Sequence, residues 1–554
     1  MAKKKTLTSV VVTLALVLCT SLASADFDGT VADANLNATA RPDHVMLTWS
    51  DDPATTQTVS FRTAPGVAVG SVLYRKADQA PGEAASRAAV ATPFSTLPTD
   101  RVQGSCLLWT VTLTGLDPMT RYTYSVRTDG GSSEEYSFAT GPLPKSPAPF
   151  TFLVFGDSQS GHPLRPNYAP WHDTLTAAYS RNPDARFLMN VGDPVEVGQY
   201  AMHWINWFSA AKDVIARIPE MPVQGNHETY VDANESATAR PAYFTSQFKV
   251  FTNGPDGLRG QTYSFDYGDV HIAVIDSQQD EESAIAGPLL PRQAAWLADD
   301  LARSARTWKL VFFHKTPYYN VAARANEALR SAIGSVCESH GVDMVFNAHD
   351  HCIARTYPIK DGRIMSRPSE GTVYYVTGRS GAKFYNDLTW KVWDAFFYDP
   401  QDQGCYLTVR IDGPRLTVHA FKVDGTPIDT YTIDKADPSS CTTTTAPGRF
   451  NRTRTIVYGD YLPGSAIDPS YTARDSKGAW FVDAKAFMTY LGGSVSYQDG
   501  TAWLFLAGKA RAVPSSQARI NAAKVLTVSA DAIHDLLGFR YTYDDSLNAL
   551  FFVK

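Results

Sequence analysis

The segment Asn347-Ala348-His349-Asp350-His351 follows the mostly apolar run from Val342 to Phe346. On a strand, the spacing of the two histidines puts both rings on one face. On a tight loop after a strand, it lets both rings reach one centre. Neutral imidazole is the commonest metal ligand in proteins. A lone His-x-His also fits two solvated loop histidines, so its interpretation depends on the preceding sequence.

Four more polar motifs follow apolar strands earlier in the chain. They are Gly156-Asp157-Ser158-Gln159, Gly192-Asp193-Pro194-Val195-Glu196, Gly225-Asn226-His227-Glu228 and His314. Each alone has a plain explanation, because a Gly-Asp after a strand is usually a turn with a capping aspartate. Five motifs in this order, each at a strand end, indicate one site, because the carboxyl ends of strands in an open α/β sheet face a common crevice.

The side chains expected to converge there are carboxylates, an amide and imidazoles: Asp157, Asp193, Asn226, His314, His349 and His351. These ligand types suit Zn, Mn or Fe. There are too many of them for one tetrahedral ion. They suit two ions about 3.5–4 Å apart that share one carboxylate, hold a phosphoryl group and lower the pKa of a bound water.

Strands that alternate with helices predict an α/β domain around these motifs, over residues 149–435. Strands are expected at 152–155, 187–191, 270–275, 309–313 and 342–346, and helices at 170–182, 201–217, 291–303 and 324–338. Alternating strands at 404–433 are assigned to the same domain.

Two different segments precede this domain. A basic patch at Lys3-Lys4-Lys5, an apolar run from Val10 to Leu18 and Ala23-Ser24-Ala25 indicate a secretory signal peptide over residues 1–25. The chain is therefore expected to be secreted or extracytoplasmic. The alternative, an uncleaved anchor, is disfavoured because the run is shorter than the ~20 residues of a membrane span. Residues 39–142 carry short alternating strands that predict a β-sandwich, and residues 113–124 resemble a fibronectin type III domain.

Beyond the α/β domain, residues 436–452 are polar, with threonines from Thr442 to Thr445, and predict a flexible linker. A repeat at an offset of 46 follows, in which the pattern from Val482 to Phe505 matches that from Val528 to Phe551. Each unit is expected to be a helix, a glycine stop and two strands, and the two units to pack into one small α+β domain. Residues 453–554 resemble the stalk-like N-terminal domain of copper amine oxidases, here as an accessory domain.

Composition limits the classes of function. The chain has 554 residues, enough for several domains, with 44% hydrophobic and 19% charged residues, as in soluble globular proteins. Its net charge of −6 gives no indication of a nucleic-acid surface. The cysteines are sparse, and one or two bridges are compatible with export, but the sequence does not predict their pairing.

The order of the motifs resembles that of the calcineurin-like metallophosphoesterases. With the β-sandwich in front, residues 39 to about 435 resemble the purple acid phosphatase branch. The resemblance implies a four-layer αββα sandwich with two metal ions bridged by Asp193. It assigns Asp157, His351 and Gln159 to one ion, and Asn226, His314 and His349 to the other. It also implies that His227 protonates the leaving alkoxide or holds a phosphate oxygen, and that Glu196 pairs with His227.

Three departures from the resembling families affect the expected chemistry. Purple acid phosphatases have tyrosine at the position of Glu196 and glycine at that of Gln159. We therefore expect divalent ions rather than a ferric, purple centre. Protein phosphatases carry a phosphate-binding arginine where this chain has Val197. Its candidate replacements are Arg165, Arg379 and Lys383, with Arg379 expected nearest the site; Tyr318 could line the substrate or serve in packing.

The sequence therefore predicts an exported phosphoesterase with two divalent or mixed-valence ions (Fe, Zn or Mn). It would hydrolyse phosphate monoesters by in-line attack of a metal-bound water or hydroxide. One alternative is a phosphodiesterase or nucleotidase on the same site. Another is a cell-surface binding protein with a degenerate metal site. The expected partner is a small phosphoester. No membrane span is expected after cleavage of the signal peptide. The C-terminal domain could attach the protein to the cell wall or cell surface.

Overall fold

The computed structural model describes residues 30–31, 33–321, 324, 326–388, 391, 393–437, 441–445, 453–457, 460–461, 472–544 and 549–554. The predicted signal peptide lies outside the described residues, as do residues 446–452 of the predicted linker. Within the described ranges, no helix combines the length and the apolar character that crossing a membrane requires.

The N-terminal part of the chain is a β-sandwich, as predicted. One antiparallel sheet contains, in spatial order, Asp43–Thr48, Thr56–Thr63, Ser105–Thr114 and Val90–Ser95. The other contains Ala85–Ala88, Gly70–Lys76, Arg121–Thr128 and Gly131–Ser132, with Tyr136–Ala139 also paired to Arg121–Thr128. The sheets share a core that includes Leu47 and Phe61 from one and Val72 and Tyr124 from the other. A short 3₁₀ turn, Pro81–Glu83, precedes one edge strand.

The central part of the chain is built on two seven-stranded sheets. The first central sheet has the order Glu220–Val223, Leu188–Val191, Phe150–Phe155, Cys405–Asp412, Arg415–Lys422, Pro427–Asp434 and Cys441–Thr445. The second has the order Tyr263–Tyr267, Val270–Val274, Trp308–Phe312, Met344–Asn347, Val373–Thr377, Ile353–Thr356 and Asp394–Tyr398. In each sheet, consecutive parallel strands carry the predicted motifs at their carboxyl ends.

Helices cover the outer face of each central sheet. Ala169–Arg181 and Ala201–Ile215 pack on the first, where Trp171 and Trp207 contact the cluster around Phe155. Leu290–Arg303 and a broken helix pack on the second; the broken helix comprises Glu327–Leu329, the π-helical turn Arg330–Gly334 and Ser335–Ser339. Shorter elements are the helices Ala242–Gln247 and Gln279–Ala286, the 3₁₀ turns His227–Thr229 and Pro368–Glu370, and the hairpin Ile359–Lys360 with Arg363–Ile364.

The two central sheets face each other across one apolar core. Phe152, Phe187 and Leu407 from the first sheet contact the same cluster as Phe312 and Phe346 from the second, and all five are fully buried. This gives the four layers, helix, sheet, sheet, helix, that the resemblance implies.

One segment differs from the prediction. Residues 441–445, assigned to a linker, form the edge strand of the first central sheet, where Cys441 pairs with Ile433 and Thr445 with Asp429. Threonine is β-branched and favours strands, so the four-threonine run suits a polar sheet edge. The linker prediction is wrong for these residues, because polarity alone does not separate a linker from an edge strand.

The sandwich is fixed to the central domain by buried contacts. Trp49 is fully buried, and its ring centroid lies 5.5 Å from those of Phe187 and Tyr267. The Asp100 carboxylate accepts hydrogen bonds from the backbone N–H of Ala201 at 2.8 Å and from the Tyr243 hydroxyl at 2.9 Å. A carboxylate is favoured at a helix N-terminus, so Asp100 fixes the start of Ala201–Ile215 from the neighbouring domain.

The C-terminal part of the chain shows the repeat. One unit contains Trp480–Asp483, Ala484–Tyr490, Ser494–Gln498 and Thr501–Leu506; the other contains Leu526–Ser529, Ala530–Leu537, Arg540–Asp544 and Ala549–Val553. The side chains of Asp483 and Ser529 cap the two helices by accepting the N–H groups of Ala486 and Ala532 at 3.0 Å. The remaining strands are Arg454–Val457, Asp460–Tyr461, Thr472–Arg474, Lys509–Val513 and Ala518–Ile520, with a 3₁₀ turn at Ser515–Gln517.

Each unit therefore begins with a strand that the sequence analysis did not include. The resemblance to the copper amine oxidase domain, and the surface association it suggests, stay predictions. This region contacts the central domain, since Ile456 and Phe551 share a cluster with Tyr357 and Ile364.

Four cysteines are buried free thiols: Cys106, Cys337, Cys352 and Cys405. Burial raises the pKa of Cys106 to about 11 and that of Cys405 to about 12. Neutral, buried thiols are poor nucleophiles, so these two act as apolar packing residues.

A charged histidine ties the second central sheet to its outer helix. His271 lies 2.8 Å from both the Asp266 and the Asp300 carboxylates, which come from the neighbouring strand and from Leu290–Arg303. Burial alone would lower the pKa of His271. The two hydrogen bonds and the carboxylate charges outweigh burial and raise this pKa to about 9.

A raised folded-state pKa predicts how stability depends on pH. The contribution of His271 is complete below its unfolded pKa of 6.5 and is lost as the pH rises through about 9. This shift corresponds to roughly 3 kcal/mol. We expect His271→Gln to lower the free energy of unfolding at pH 6 by an amount of this order, and by much less at pH 10. Denaturant unfolding at both pH values measures the difference, with His340→Gln as a control outside this network. An equal loss at both pH values would contradict the assignment.

Candidate metal centre

The predicted ligands meet where the carboxyl ends of the two central sheets come together. Asp157, Asp193 and Asn226 follow three strands of the first sheet, and His314 and His349 follow two strands of the second. All five are at most 7% exposed. A site spread over almost two hundred residues is thus assembled by two sheets that share one core.

One group of ligands surrounds the Nε2 atom of His314. This atom lies 3.0 Å from Asp193 Oδ2, 3.1 Å from Asn226 Oδ1 and 3.0 Å from His349 Nδ1. Asp193, His314 and His349 bring their ligand atoms within 4.8 Å of one another. The amide nitrogen of Asn226 donates to the Tyr230 hydroxyl at 2.7 Å, which turns the amide oxygen towards the group.

The other group joins Asp157 and His351. His351 Nε2 lies 3.3 Å from Asp157 Oδ1, and both side chains are fully buried. The Asp157 carboxylate also accepts the backbone N–H of His349 at 2.9 Å, so the two groups are connected. Gln159 contacts the first group, because its amide nitrogen is 3.4 Å from Asp193 Oδ2.

The hydrogen bonds around this centre leave electron pairs directed into it. His314 Nδ1 donates to the Val191 carbonyl at 2.9 Å, and His351 Nδ1 donates to the Lys383 carbonyl at 3.0 Å. Burial lowers the pKa of His314, but the Asp193 carboxylate outweighs burial and raises it to about 9, so a bound cation would replace the Nε2 proton of that ring. In a neutral imidazole, each Nε2 carries a lone pair. Within the described residues, His351 Nε2 and the Gln159 amide oxygen are buried without a hydrogen-bond partner. Backbone carbonyls commonly orient metal-binding histidines in this way, so these donors fit a bound cation.

The backbone at the centre is strained. Asp157, Asp193, His349 and His351 all have positive φ, of 52°, 51°, 72° and 57°. Non-glycine residues rarely adopt this conformation, and such residues concentrate at functional sites. Gly192, at φ 93°, has no room for a side chain, because a Cβ atom would lie 2.5 Å from His314 Nδ1. The Gly-Asp motif therefore serves close packing as well as the turn.

The charge on Asp193 is stabilised by its neighbours. Burial would raise the pKa of Asp193, but the His314 and His227 rings, with hydrogen bonds, outweigh burial and hold it well below its usual range. The backbone N–H of His227 donates to Asp193 Oδ1 at 3.0 Å. Asp193 is thus a carboxylate contacted from loops of both sheets, as a bridging ligand must be.

Glu228 has a structural role that the sequence analysis missed. Its buried carboxyl group accepts backbone N–H groups from Gly225 at 2.7 Å, Asp193 at 3.2 Å and Val195 at 3.4 Å. It therefore joins the loop of Asp193 to the loop of Asn226. Its position at the end of Gly225-Asn226-His227-Glu228 was a signal, because a Glu there can accept the free N–H groups of the turn.

The contact between His227 and Glu196 differs from the one expected. His227 Nδ1 donates to the backbone carbonyl of Glu196 at 2.6 Å, whereas the Glu196 carboxylate lies 3.9 Å from that nitrogen. This carboxylate instead accepts the N–H of Gly161 at 2.7 Å and lies 3.5 Å from Lys383 Nζ. The main chain, not the side chain, orients the His227 ring.

Lys383 is the cation that the structure brings to the centre. Its Nζ lies 2.9 Å from His227 Nε2. Burial would lower the pKa of Lys383, but the Glu196 carboxylate and other neighbouring anions raise it, so the side chain is an ammonium ion.

The three residues predicted to bind substrate have other contacts. Arg379 donates to the carbonyls of Gly381 at 2.7 Å and Gln401 at 3.0 Å. The Tyr318 hydroxyl donates to Glu338 at 3.3 Å, and its ring packs on Tyr374 and Trp393. Arg165 is exposed, and its backbone N–H lies 3.2 Å from His162 Nδ1. Tyr318 is therefore a packing residue, and Arg379 supports the loop after its strand.

Arg324, which no sequence motif indicated, contacts the centre instead. Its guanidinium meets His349 Nε2, donates to the His349 carbonyl at 3.0 Å and pairs with Asp350 at 2.7 Å. Burial and the Arg324 charge lower the pKa of His349 well below its ordinary value. This imidazole is therefore neutral, and because Nε2 accepts from Arg324 its one proton is on Nδ1, which a cation bound at the centre would replace.

Comparison with protein families matches two regions of the chain. Residues 42–140 match the purple acid phosphatase N-terminal domain, and residues 150–352 match the calcineurin-like phosphoesterase family. The second match includes every predicted metal ligand from Asp157 to His351.

Individual relatives agree with these matches. Purple acid phosphatase 23 of Arabidopsis thaliana is 26% identical over 44% of this chain and 57% of its own length. Acid phosphatase type 7 of Mus musculus is 25% identical over 49% of this chain and 64% of its own length. The solved structure of purple acid phosphatase PPD1 from yellow lupin seeds covers 75% of this chain and 78% of its own, with a TM-score of 0.59 at 19% identity, and so shares the fold.

The chain spans between a third and two thirds of the length of the curated relatives it matches. The two matched regions are thus similar to the two domains of purple acid phosphatases, and the relatives that match them are purple acid and acid phosphatases.

Proposed function

We propose that this protein is an exported phosphatase that uses two metal ions to hydrolyse phosphate monoesters. The observation that carries the proposal is a pair of adjoining ligand groups, one of Asp193, Asn226, His314 and His349 and the other of Asp157 and His351, joined by the hydrogen bond from the His349 N–H to Asp157 Oδ1 at 3.1 Å. Two ions in this arrangement would hold phosphoryl oxygens and activate a water for in-line attack. The signal-peptide pattern in residues 1–25 supports export.

The protein residues have separate roles in this mechanism. The carbonyls of Val191 and Lys383 fix the His314 and His351 rings, so that each presents Nε2 to the centre. The Glu196 carbonyl holds the His227 ring by its Nδ1 and leaves Nε2 directed towards Asp193, at 3.8 Å from Oδ2. In this structure Nε2 also accepts a hydrogen bond from the Lys383 ammonium group at 2.9 Å. We propose that a bound phosphate takes over the Lys383 contact, so that His227 can be protonated at Nε2 and donate to the leaving oxygen.

The donor set supports divalent ions. Glu196 stands where purple acid phosphatases have their ferric-binding tyrosine, and its carboxylate is held by Gly161 and Lys383. Carboxylate, amide and imidazole ligands suit Zn, Mn or Fe in the divalent state. Absorption spectroscopy of the purified protein should accordingly lack the band that makes a tyrosinate-bound ferric centre purple.

The two histidines of the closing loop should serve different ions. We expect His349→Ala and His351→Ala each to bind about one ion per chain where the unaltered protein binds about two, and Asp193→Ala to bind fewer still. Elemental analysis of protein purified without chelators measures the content. His419→Ala, on a strand of the first central sheet, should keep both ions. About two bound ions per chain in all three variants would contradict the two-ion arrangement.

The proton-donor role predicts a contrast between neighbouring residues. His227→Ala should keep its metals but lose roughly 10²–10⁴-fold in turnover of an alkyl phosphate, whose leaving group needs protonation. Aryl phosphates with acidic leaving groups should lose less. Glu196→Gln should be much less affected, because the backbone carbonyl that orients His227 remains. Steady-state rates over a series of leaving groups test both variants; equal losses on all esters would remove the role.

A panel of substrates tests the proposal itself. Phosphate monoesters should be hydrolysed faster than diesters by the metal-loaded protein, and activity should disappear with a chelator and return with divalent ions. Preference for diesters would favour the phosphodiesterase alternative.

A further inference from the structure

An ion pair spans the mouth of the centre next to His227. Lys383 follows the strand Val373–Thr377 of the second central sheet, and Glu235 lies in the loop after Tyr230. Lys383 Nζ is 3.8 Å from Glu235 Oε1, which is itself 4.0 Å from His227 Nε2. A carboxylate oxygen therefore occupies the space in front of both the ammonium group and the ring proposed to contact the leaving group.

The loop is built to present this carboxylate. Asp232 Oδ1 accepts the backbone N–H groups of Asn234 at 2.9 Å and Ser236 at 3.2 Å, and its Oδ2 accepts the Ser236 hydroxyl at 2.6 Å. Glu235, between them, has φ 57°, a conformation that an L-residue rarely adopts. Its side chain is nonetheless 46% exposed and can move into solvent.

The other carboxylate beside Lys383, that of Glu196, is fixed in place. Glu196 is 5% exposed and is held by the N–H of Gly161 at 2.7 Å. It neutralises part of the ammonium charge whether or not a substrate is bound. Glu235 is thus the anion that an incoming ligand would replace.

We propose that Lys383 and Glu235 form a charge-selective gate, in which a dianionic phosphate monoester displaces Glu235 from Lys383 and a monoanionic diester does so poorly. This inference rests on the proposed phosphatase function, and it adds how the site selects phosphate monoesters over diesters.

Coulomb's law gives the direction of selection. Replacing the single charge of Glu235 by the single charge of a diester leaves the attraction to Lys383 almost unchanged. A monoester carries about 1.5 to 2 negative charges at neutral pH, so the same replacement strengthens the attraction. Glu235 therefore weakens the binding of both ligands by the same amount, and the extra charge of the dianion, acting on Lys383, makes the difference between them.

The side chain of Lys383 can be changed without removing its structural contact. His351 bonds to the Lys383 backbone carbonyl, which every residue retains. Lys383→Met should therefore keep the metals, and elemental analysis would verify this. Lys360→Met, an exposed lysine on the hairpin Ile359–Lys360, is the matched control.

The experiment measures binding and turnover in the metal-loaded full chain. Inorganic phosphate at pH 8 is the dianionic probe and dimethyl phosphate the monoanionic one, with affinities from calorimetry. Lys383→Met should weaken phosphate binding about 10-fold or more, as loss of a charge-assisted hydrogen bond implies. Lys383→Arg should restore most of it. Glu235→Gln should tighten both probes by a similar several-fold factor, whereas Lys383→Met should narrow the ratio between their affinities.

The double variant decides whether the two residues act together. Glu235→Gln should change neither affinity when Lys383 is already methionine. Additive effects in the double variant, or unchanged phosphate affinity in Lys383→Met, would overturn the gate. Kinetics separate this failure from that of the proposed function. An active phosphatase with unaltered ester selectivity in Lys383→Met overturns only the gate, whereas a metal-loaded protein that hydrolyses no phosphoester overturns both.

Discussion

The buried charge of Asp193 is the constraint on which the centre depends. A carboxylate withdrawn from water is costly unless it is paired and hydrogen-bonded. Here its partners come from both central sheets, through the backbone N–H of His227 and the ring of His314. The charge is therefore stable only when the sheets are in register, and their shared aromatic core, with Phe187 facing Phe312 and Phe346 within one cluster, sets that register.

The same core offsets the strain at the ligands. Four residues with positive φ each cost on the order of 1–3 kcal/mol, and their loops could not hold this conformation alone. They begin directly after buried parallel strands, whose hydrogen bonds fix where each loop starts. Glu228 then ties two of the loops through three backbone N–H groups. Strain, burial and charge are thus concentrated at one edge of the molecule, where a bound cation would relieve the repulsion between converging electron pairs.

Much of this could be predicted from the sequence, for a physical reason. Apolar strands are local signals, and the rule that parallel strands end at a common edge places Asp157, Asp193, Asn226, His314 and His349 together without coordinates. Contacts between loops follow no such rule. Lys383, Glu235 and Arg324 meet the centre because of how three separate loops fold, and Arg379, four residues from Lys383, does not contact the predicted ligands. The strand at 441–445 and the insertion of Trp49 into the central domain were missed. The sequence does not show which strand a polar segment pairs with, or which domain a tryptophan of the sandwich packs against.

Main-chain carbonyls orient three histidine rings at this centre, and this affects which side chains there can be substituted. Val191, Glu196 and Lys383 fix the rings of His314, His227 and His351 through backbone oxygens. The side chains at Glu196 and Lys383 can therefore be changed while the contacts that orient His227 and His351 are retained. In this chain the two side chains lie 3.5 Å apart and partly neutralise each other. A tyrosine at 196 would leave Lys383 with less negative charge around it. The residue at position 196 therefore sets how much positive charge Lys383 presents at the centre.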